Sequence, residues 1–409
     1  MTLRRFPDGF LWGAATSSHQ VEGGNAGNDW SCFEREGRVA RGEVSGEAVD
    51  SYHRYEEDFD LAAGMHHSAH RLSLEWSRIE PAAGHFDDAA IEHYVRVLQT
   101  LRARGMKCFL TVNHFTLPAW FADAGGWAAP ASRGLFARYV SRVAPPLAGL
   151  VDAWITVNEP VHLAATGYLR GLWPPRRRGP AAGHAAAVNL AAAHREAYRV
   201  LKAVTPETPV GPAVNAYVVH PCEGGATWED AVLSGPARWL LNDWWLDMVR
   251  DRADFIGAQY YMAVAARSLL HARYTERCES EAHSDMGWRI YPEGMREYVA
   301  RTWRRYRLPI YVTENGIADA DDDQRPAFIR DHLASLHRAM VEDGADVRGY
   351  LHWSLLDNFE WADGWAPKFG LIEVDRTTMA RTPRPSAAYY ATICRDNAVD
   401  DEADPASVI

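Results

Sequence analysis

The feature that most constrains the fold of this chain is an alternation. Eight short apolar, β-branched runs are separated by longer stretches, and the runs begin tens of residues apart. The runs are Phe10–Thr16, His70–Trp76, Lys107–Phe115, Ala153–Pro160, Pro209–Ala216, Asp254–Tyr261, Pro309–Gly316 and Val347–Asp357. Between them Tyr52–Gly64, Ala89–Arg104, Arg133–Leu147, His184–Val204 and Phe328–Asp343 read as helices, with apolar residues on one face. Strands this apolar must be covered on both faces, which an alternating strand–helix chain achieves with a parallel sheet and helical crossovers. Eight such units predict a (β/α)8 barrel, and 409 residues suit one barrel with loop insertions. No linker interrupts the pattern, so residues 1–395 are expected to form a single catalytic domain. Residues 396–409, acidic and without a base, are expected to be a flexible tail.

Two of the eight runs end in a carboxylate. Pro309–Gly316 carries Glu314 just before an Asn-Gly turn signal, and Ala153–Pro160 carries Glu159 just before a proline. Pro160 disfavours the helical region for Glu159, so its side chain is expected to leave from extended backbone. In a parallel barrel the loops after the strands build the site, so two glutamates at strand ends face one mouth. A pair of carboxylates is what glycoside cleavage needs, and a retaining pair lies about 5 to 5.5 Å apart.

Composition narrows the partners. With 43 Lys and Arg against 54 Asp and Glu, the net charge of −11 argues against nucleic acid. No apolar run is long enough for a signal peptide or a membrane span, so a cytoplasmic protein is expected. Cys32, Cys108, Cys222, Cys278 and Cys394 are odd in number and lack C-x-x-C spacing, which favours free thiols over disulfides or zinc. The sequence leaves the oligomeric state open.

Most strand ends offer groups suited to sugar hydroxyls, which both donate and accept. Gln20 follows the first run, Arg71 lies on the second, His114 ends the third and Asn158 adjoins Glu159. Tyr260 and Tyr261 end the sixth, and Trp353 lies on the eighth, ahead of Asp357-Asn358-Phe359-Glu360-Trp361. Here the chain resembles family 1 of the glycoside hydrolases, the retaining β-glucosidases and β-galactosidases. The resemblance runs from about Phe6 to Tyr390. It rests on Phe10–Thr16 with Gln20 and Glu22, Arg71–Ile79, His114-Phe115 before Leu117-Pro118, Thr156–Pro160, Thr313–Gly316 and Trp353–Trp361.

The resemblance implies an exo-β-glycosidase, foremost a β-glucosidase with possible activity on galactosides and fucosides, acting on a small glycoside or oligosaccharide without metal or cofactor. Glu159 would be the general acid/base and Glu314 the nucleophile. Gln20, His114, Asn158, Tyr261, Trp353, Glu360, Trp361 and Phe369 would form the sugar site. Arg71 and Tyr261 would hold Glu314, with Arg71 favouring its charged form. The family also usually has a cis peptide between Trp353 and Ser354. Two departures stand out. Gln259 occupies a position usually held by Asn, which affects contacts near the leaving group and the 2-hydroxyl. Thr116 replaces a common Asp, a change read as loop packing. Both glutamates are present, which sets aside a silent sugar-binding relative. A transglycosylase shares the same covalent intermediate and stays open.

Three further readings complete the sequence. His66, His67 and His70 are close in the chain but precede the second run, toward the end of the barrel away from the site, so no metal centre is expected. Arg176-Arg177-Arg178 reads as a solvated loop. A branch of the family takes 6-phosphorylated sugars and typically has Ser at Glu360, with Lys and Tyr in the next loop. This chain has Pro367 and Phe369 there, and a fixed charge at Glu360 would repel phosphate. Neutral sugars are therefore expected to be favoured at least about a hundredfold.

Overall fold

Eight parallel strands close on themselves in the computed structural model, which describes residues 3–220, 228–264 and 282–400, without the side chains of 228–231. They are β1 (Leu11–Ala15), β2 (Ala69–Ser73), β3 (Lys107–Asn113), β4 (Ala153–Asn158), β5 (Val210–Asn215), β6 (Ile256–Gln259), β7 (Ile310–Asn315) and β8 (Val347–Trp353). Each pairs with its sequence neighbours, and β8 pairs with β1 to complete the ring. The (β/α)8 expectation holds. The strands are shorter than the sequence suggested at their C-terminal ends. After β2, for example, Glu75 stops the strand by capping a short helix, Trp76–Ile79, accepting the N–H of Ser77 at 3.3 Å.

Around the ring lie α1 (Ser51–Gly64), α2 (Asp88–Ala103), α3 (Ser132–Leu147), α4 (Pro180–Val204), α5 (Glu293–Tyr306), α6 (Arg325–Val341) and α7 (Pro385–Asp396). In α2, Asp87 caps the first turn by accepting from the N–H groups of Ala89 and Ala90 at 2.9 and 3.2 Å, worth about 1 kcal/mol. Its buried residues Ile91, Tyr94, Leu98 and Leu101 recur at three and four residues and face the barrel. Helices α5 and α7 were not read from sequence. In α5, four arginines are interspersed with an apolar face of Met295, Tyr298, Val299, Trp303 and Tyr306.

Side chains alternate along each strand, so every second one enters the barrel. Ala69, Phe109, Ile155, Ala213 and Leu351 form one apolar cluster across β2, β3, β4, β5 and β8, with Leu11 and Tyr311 packed against it. Arg71 lies two residues after Ala69 on the same face. It is thus a fully buried guanidinium above an apolar plug, able to act only toward the mouth.

Residues 396–400 do not form the tail expected of them from sequence. Asp396 ends α7, and the strand Ala398–Asp400 pairs antiparallel with Leu3–Arg5, burying Ala398 and Val399. Local acidity is outweighed by a ladder to the other end of the chain. Residues 401–409 lie outside the described residues, as do Cys222 and Cys278. Cys32, Cys108 and Cys394 are free thiols. Among the described residues, no helix is long and apolar enough to cross a membrane.

Candidate active site

A cavity of about 380 Å³ opens at the C-terminal ends of the strands. Its wall includes His114, Asn158, Glu159, Gln259, Tyr261, Glu314, Trp353, Glu360, Trp361 and Phe369, each singled out from sequence.

Glu314 is the second-last residue of β7 and is held by three donors. Arg71 Nη1 and Gln259 Nε2, the latter at 2.6 Å, bond its Oε1, and the Tyr261 hydroxyl bonds Oε2 at 2.6 Å. Arg71 also reaches Thr111 Oγ1 at 3.0 Å and Asn158 Oδ1 at 2.5 Å, so one guanidinium ties β2, β3, β4 and β7 together. Its planar fork suits that task in a way an ammonium would not. Gln259 fills the family's usual Asn position and donates to Glu314 and, at 2.8 Å, to Asn158 Oδ1. Tyr260, one residue earlier than Tyr261, points the other way and donates to the carbonyl of Tyr291 at 2.6 Å. Gly316 lets the ends of β7 and β8 converge, since a Cβ there would stand 1.8 Å from the Trp353 carbonyl oxygen.

Glu159 leaves β4 differently from the extended geometry expected of a residue before proline. Its backbone is left-handed, with φ 46° and ψ 56°. The N–H of Glu159 still bonds Ala213 O on β5 at 2.8 Å, while a helix starts at once with Pro160. The whole reversal therefore falls on one residue. Its side chain is bonded by Asn215 at the end of β5.

The two carboxyls are unequal. Burial raises Glu159 far above the ordinary carboxylate range, and the nearby Glu314 charge raises it further. Burial also raises Glu314, opposed by Arg71 and by the hydrogen bonds of Tyr261 and Arg71. Arg71 favours the charged form of Glu314, as expected from sequence, and burial opposes it. Burial and a neighbouring carboxylate both favour the protonated form of Glu159, whereas at Glu314 a guanidinium and hydrogen bonds work against it.

The rest of the set forms the floor and far wall. The Trp353–Ser354 peptide is cis, and His114 lies nearly parallel to Trp353 and Trp361 at 6.1 and 6.0 Å between centroids. Burial, then Arg71, keeps His114 neutral. Gln20 is fully buried behind the cavity wall and donates to Asn358 Oδ1 at 2.8 Å and Glu360 Oε2 at 3.3 Å. The loop after β8 is anchored by Asp357, whose carboxylate accepts Arg384 at 3.1 and 2.9 Å and the N–H of Gly370 at 3.0 Å. That anchor sets Glu360 and Phe369 facing the same space. Burial, with Asp363 and Glu314, pushes Glu360 up to about 8. The fixed negative charge expected there is therefore absent below that pH.

Sequence reading missed Asn215, although it ends β5, the one strand for which no site residue was named. It also missed His162, Trp173, Tyr217, Met262, Met286 and Trp288 in the same wall. His162 lies on the short helix after Glu159 and the others on loops, where no periodicity marks them. Thr116 packs as expected, donating to buried Glu75 Oε2 at 3.0 Å. His67 and His70 are buried and pushed down to about 3 by that burial. Among the described residues, the three potential metal ligands that come together are Asp319, Asp321 and Asp323, not these histidines.

Comparison with known proteins agrees with this geometry. The profile of glycosyl hydrolase family 1 matches residues 2–251 and 246–399. The sequence is 32% identical to a β-glucosidase of Agrobacterium sp., over 95% of this chain and 95% of that one. It is also 32% identical to a β-galactosidase of Sulfolobus acidocaldarius, covering 97% and 96%. The fold superposes on a β-glycosidase from Pyrococcus horikoshii with a TM-score of 0.89 and 36% identity, over 98% and 97% of the two chains.

Proposed function

The chain belongs to glycosyl hydrolase family 1 and is a glycoside hydrolase, and from that premise we propose that it removes terminal, nonreducing β-linked sugars with net retention. The observation that carries this reading is the unlike holding of two buried glutamates in one cavity. Glu314, bonded by Arg71, Gln259 and Tyr261, is the nucleophile. Glu159, raised by burial and by Glu314, carries the proton.

In the first step a Glu314 oxygen attacks the anomeric carbon as the glycosidic bond breaks, and Glu159 gives its proton to the leaving oxygen. The resulting ester consumes the charge on Glu314. That removes one of the causes raising Glu159, so its acidity increases and it can take a proton from water. The water then attacks the anomeric carbon and frees Glu314. The two carboxyls supply nucleophile, acid and base, so the scheme calls for no metal or cofactor. Trp353 would lie under the sugar ring, with His114, Asn158 and Glu360 at its hydroxyls and Gln20 steadying Glu360. Glucose is the sugar proposed first, with galactose and fucose also taken; relatives named for glucoside and for galactoside cleavage support the first two.

The anomer first released from an aryl β-glucoside, read by proton NMR, should be β. A 2-deoxy-2-fluoro glycoside should label the peptide containing Glu314, as read by mass spectrometry. An α product, or a label elsewhere, would overturn the assignment.

A further inference from the structure

An acidic turn in the loop after β7 takes no part in the site described above. It carries Asp319, Asp321, Asp322 and Asp323. Asp322 has a left-handed backbone, with φ 65°, and its carboxylate is already engaged. It accepts the N–H of Ser386 at 2.8 Å and pairs with the buried guanidinium of Arg325. The other three each bring one carboxylate oxygen into a group whose members all lie within 4.8 Å of one another. Asp321 and Asp323 are exposed, whereas Asp319 is fully buried.

Exposed acidic side chains crowd together at little cost, because water solvates them. Asp319 has no such relief. Its Oδ2 accepts the N–H groups of Gln324 and Arg325 at 3.0 and 2.8 Å, but its Oδ1 is buried and has no hydrogen-bond partner. A buried acceptor left unpaired is costly, and ionised carboxylates beside it have no proton to donate. The Arg325 guanidinium does not fill the gap, since it goes to Asp322 and to the carbonyls of Asp319 and Lys368 at 2.6 and 2.8 Å. Burial pushes Asp319 up to about 6, with Asp321 adding to the rise and the N–H and charge of Arg325 opposing it. At neutral pH the group is therefore ionised, buried and one partner short.

We infer that Asp319, Asp321 and Asp323 form a calcium site that braces the loop after β7. Carboxylate oxygens on an irregular loop, two of them open to water, suit a hard cation of flexible geometry, which favours calcium over magnesium. The alternate spacing is the one that opens an EF-hand loop, but Gln324 stands at the position of its glycine and Arg330 at that of its bidentate Glu. The site is thus a simpler and weaker one, completed by water. Its turn is tied to two other loops. The Ala318 carbonyl accepts the N–H of Asp285 at 3.0 Å, Asp285 Oδ2 accepts the N–H of Ala320 at 2.8 Å, and the Asp319 N–H donates to the Lys368 carbonyl at 2.9 Å. Met286 and Phe369, next in sequence to Asp285 and Lys368, line the cavity, while the three aspartates do not. The ion steadies loops of the site and takes no part in bond cleavage.

The test uses the full chain, stripped of divalent ions by a chelator and dialysed. Calcium chloride should then give a saturable heat in titration calorimetry, with one ion per chain and a Kd of about 0.1 to 1 mM. At about tenfold that Kd it should raise Tm by about 1 to 2 °C over sodium chloride of equal ionic strength. Magnesium should bind at least about threefold more weakly. The double substitution Asp321→Asn, Asp323→Asn should leave kcat within about twofold, which reports an intact fold, and should remove both calcium signals. The site is overturned if calcium gives the stripped protein neither heat nor a rise in Tm, or if the rise survives the double substitution.

Discussion

Glu159 and Glu314 leave two strands of one barrel into one cavity, and the protein treats them in opposite ways. Glu314 lies within β7, where the pairing to both neighbouring strands shifts register, and is gripped by a guanidinium, an amide and a phenol. Glu159 ends β4 on a left-handed residue, with one amide as its neighbour and the charge of Glu314 pushing its proton affinity up. The contrast teaches that a pair of identical side chains acquires two roles through the number of donors that each is given. In the proposed mechanism the carboxyl surrounded by donors attacks, and the one left with few gives the proton.

The largest expected effect comes from removing the gripped partner. Glu314→Ala should lower kcat on every glycoside by about 10⁴-fold or more, since no other group can form the ester. Azide should restore part of the turnover and yield the inverted glycosyl azide, read by NMR. If Glu314→Ala retained a tenth of the activity, the contrast would have been drawn on the wrong residue.

Glu159→Ala should cost about 10³-fold on an alkyl glycoside. On a dinitrophenyl glycoside, whose leaving group needs no proton, bond cleavage should slow far less. Steady-state and burst kinetics on both substrates check this, and equal losses in the burst would remove the acid role from Glu159.

A sugar carrying a 6-phosphate should be a worse substrate than its neutral counterpart by at least about tenfold near neutral pH. The reason differs from the one first drawn from sequence. Glu360 is pushed up to about 8, so below that pH rejection rests on the missing donors at Pro367 and Phe369. Discrimination should grow as pH rises through about 8 and Glu360 ionises. A kcat/KM ratio independent of pH across that range would show that Glu360 does not face the phosphate.

The pH profile of kcat/KM sharpens the comparison directly. Activity should fall on the acid side as Glu314 gains a proton, and on the alkaline side as Glu159 loses its own. Glu159→Gln should abolish the alkaline limb on an activated aryl substrate. Asn215→Ala is the smallest change expected, costing at most about threefold in kcat/KM. The Asn215 hydrogen bond lowers the affinity of Glu159 for its proton, so its loss should move the alkaline limb to higher pH. A downward shift would mean that Asn215 acts on Glu159 by another route.

Much of this was legible in the chain. Apolar runs at tens-of-residues spacing announced eight strands, because a strand buried on both faces has no other composition open to it. Strand ends announced the candidate site, because in a parallel barrel those ends share one mouth. Asn215 obeyed that rule and was passed over because its strand carries no charge. Trp173, Met286 and Trp288 obeyed no rule, since loop residues meet only after the strands have placed them. The terminal residues Ala398 and Val399 looked like part of a solvated tail, and their partners lie at the other end of the chain.

The sequence by itself determined the barrel and the identity of the two glutamates, because both depend on local composition and on position relative to a strand. The tertiary structure decided how differently the two are held. That choice depends on burial and on donors brought from far along the chain: Arg71 on β2, Gln259 on β6 and Asn215 on β5. Electrostatic energy follows distance through space, and only the closed ring of strands brings those groups within a hydrogen bond of the carboxyls they tune.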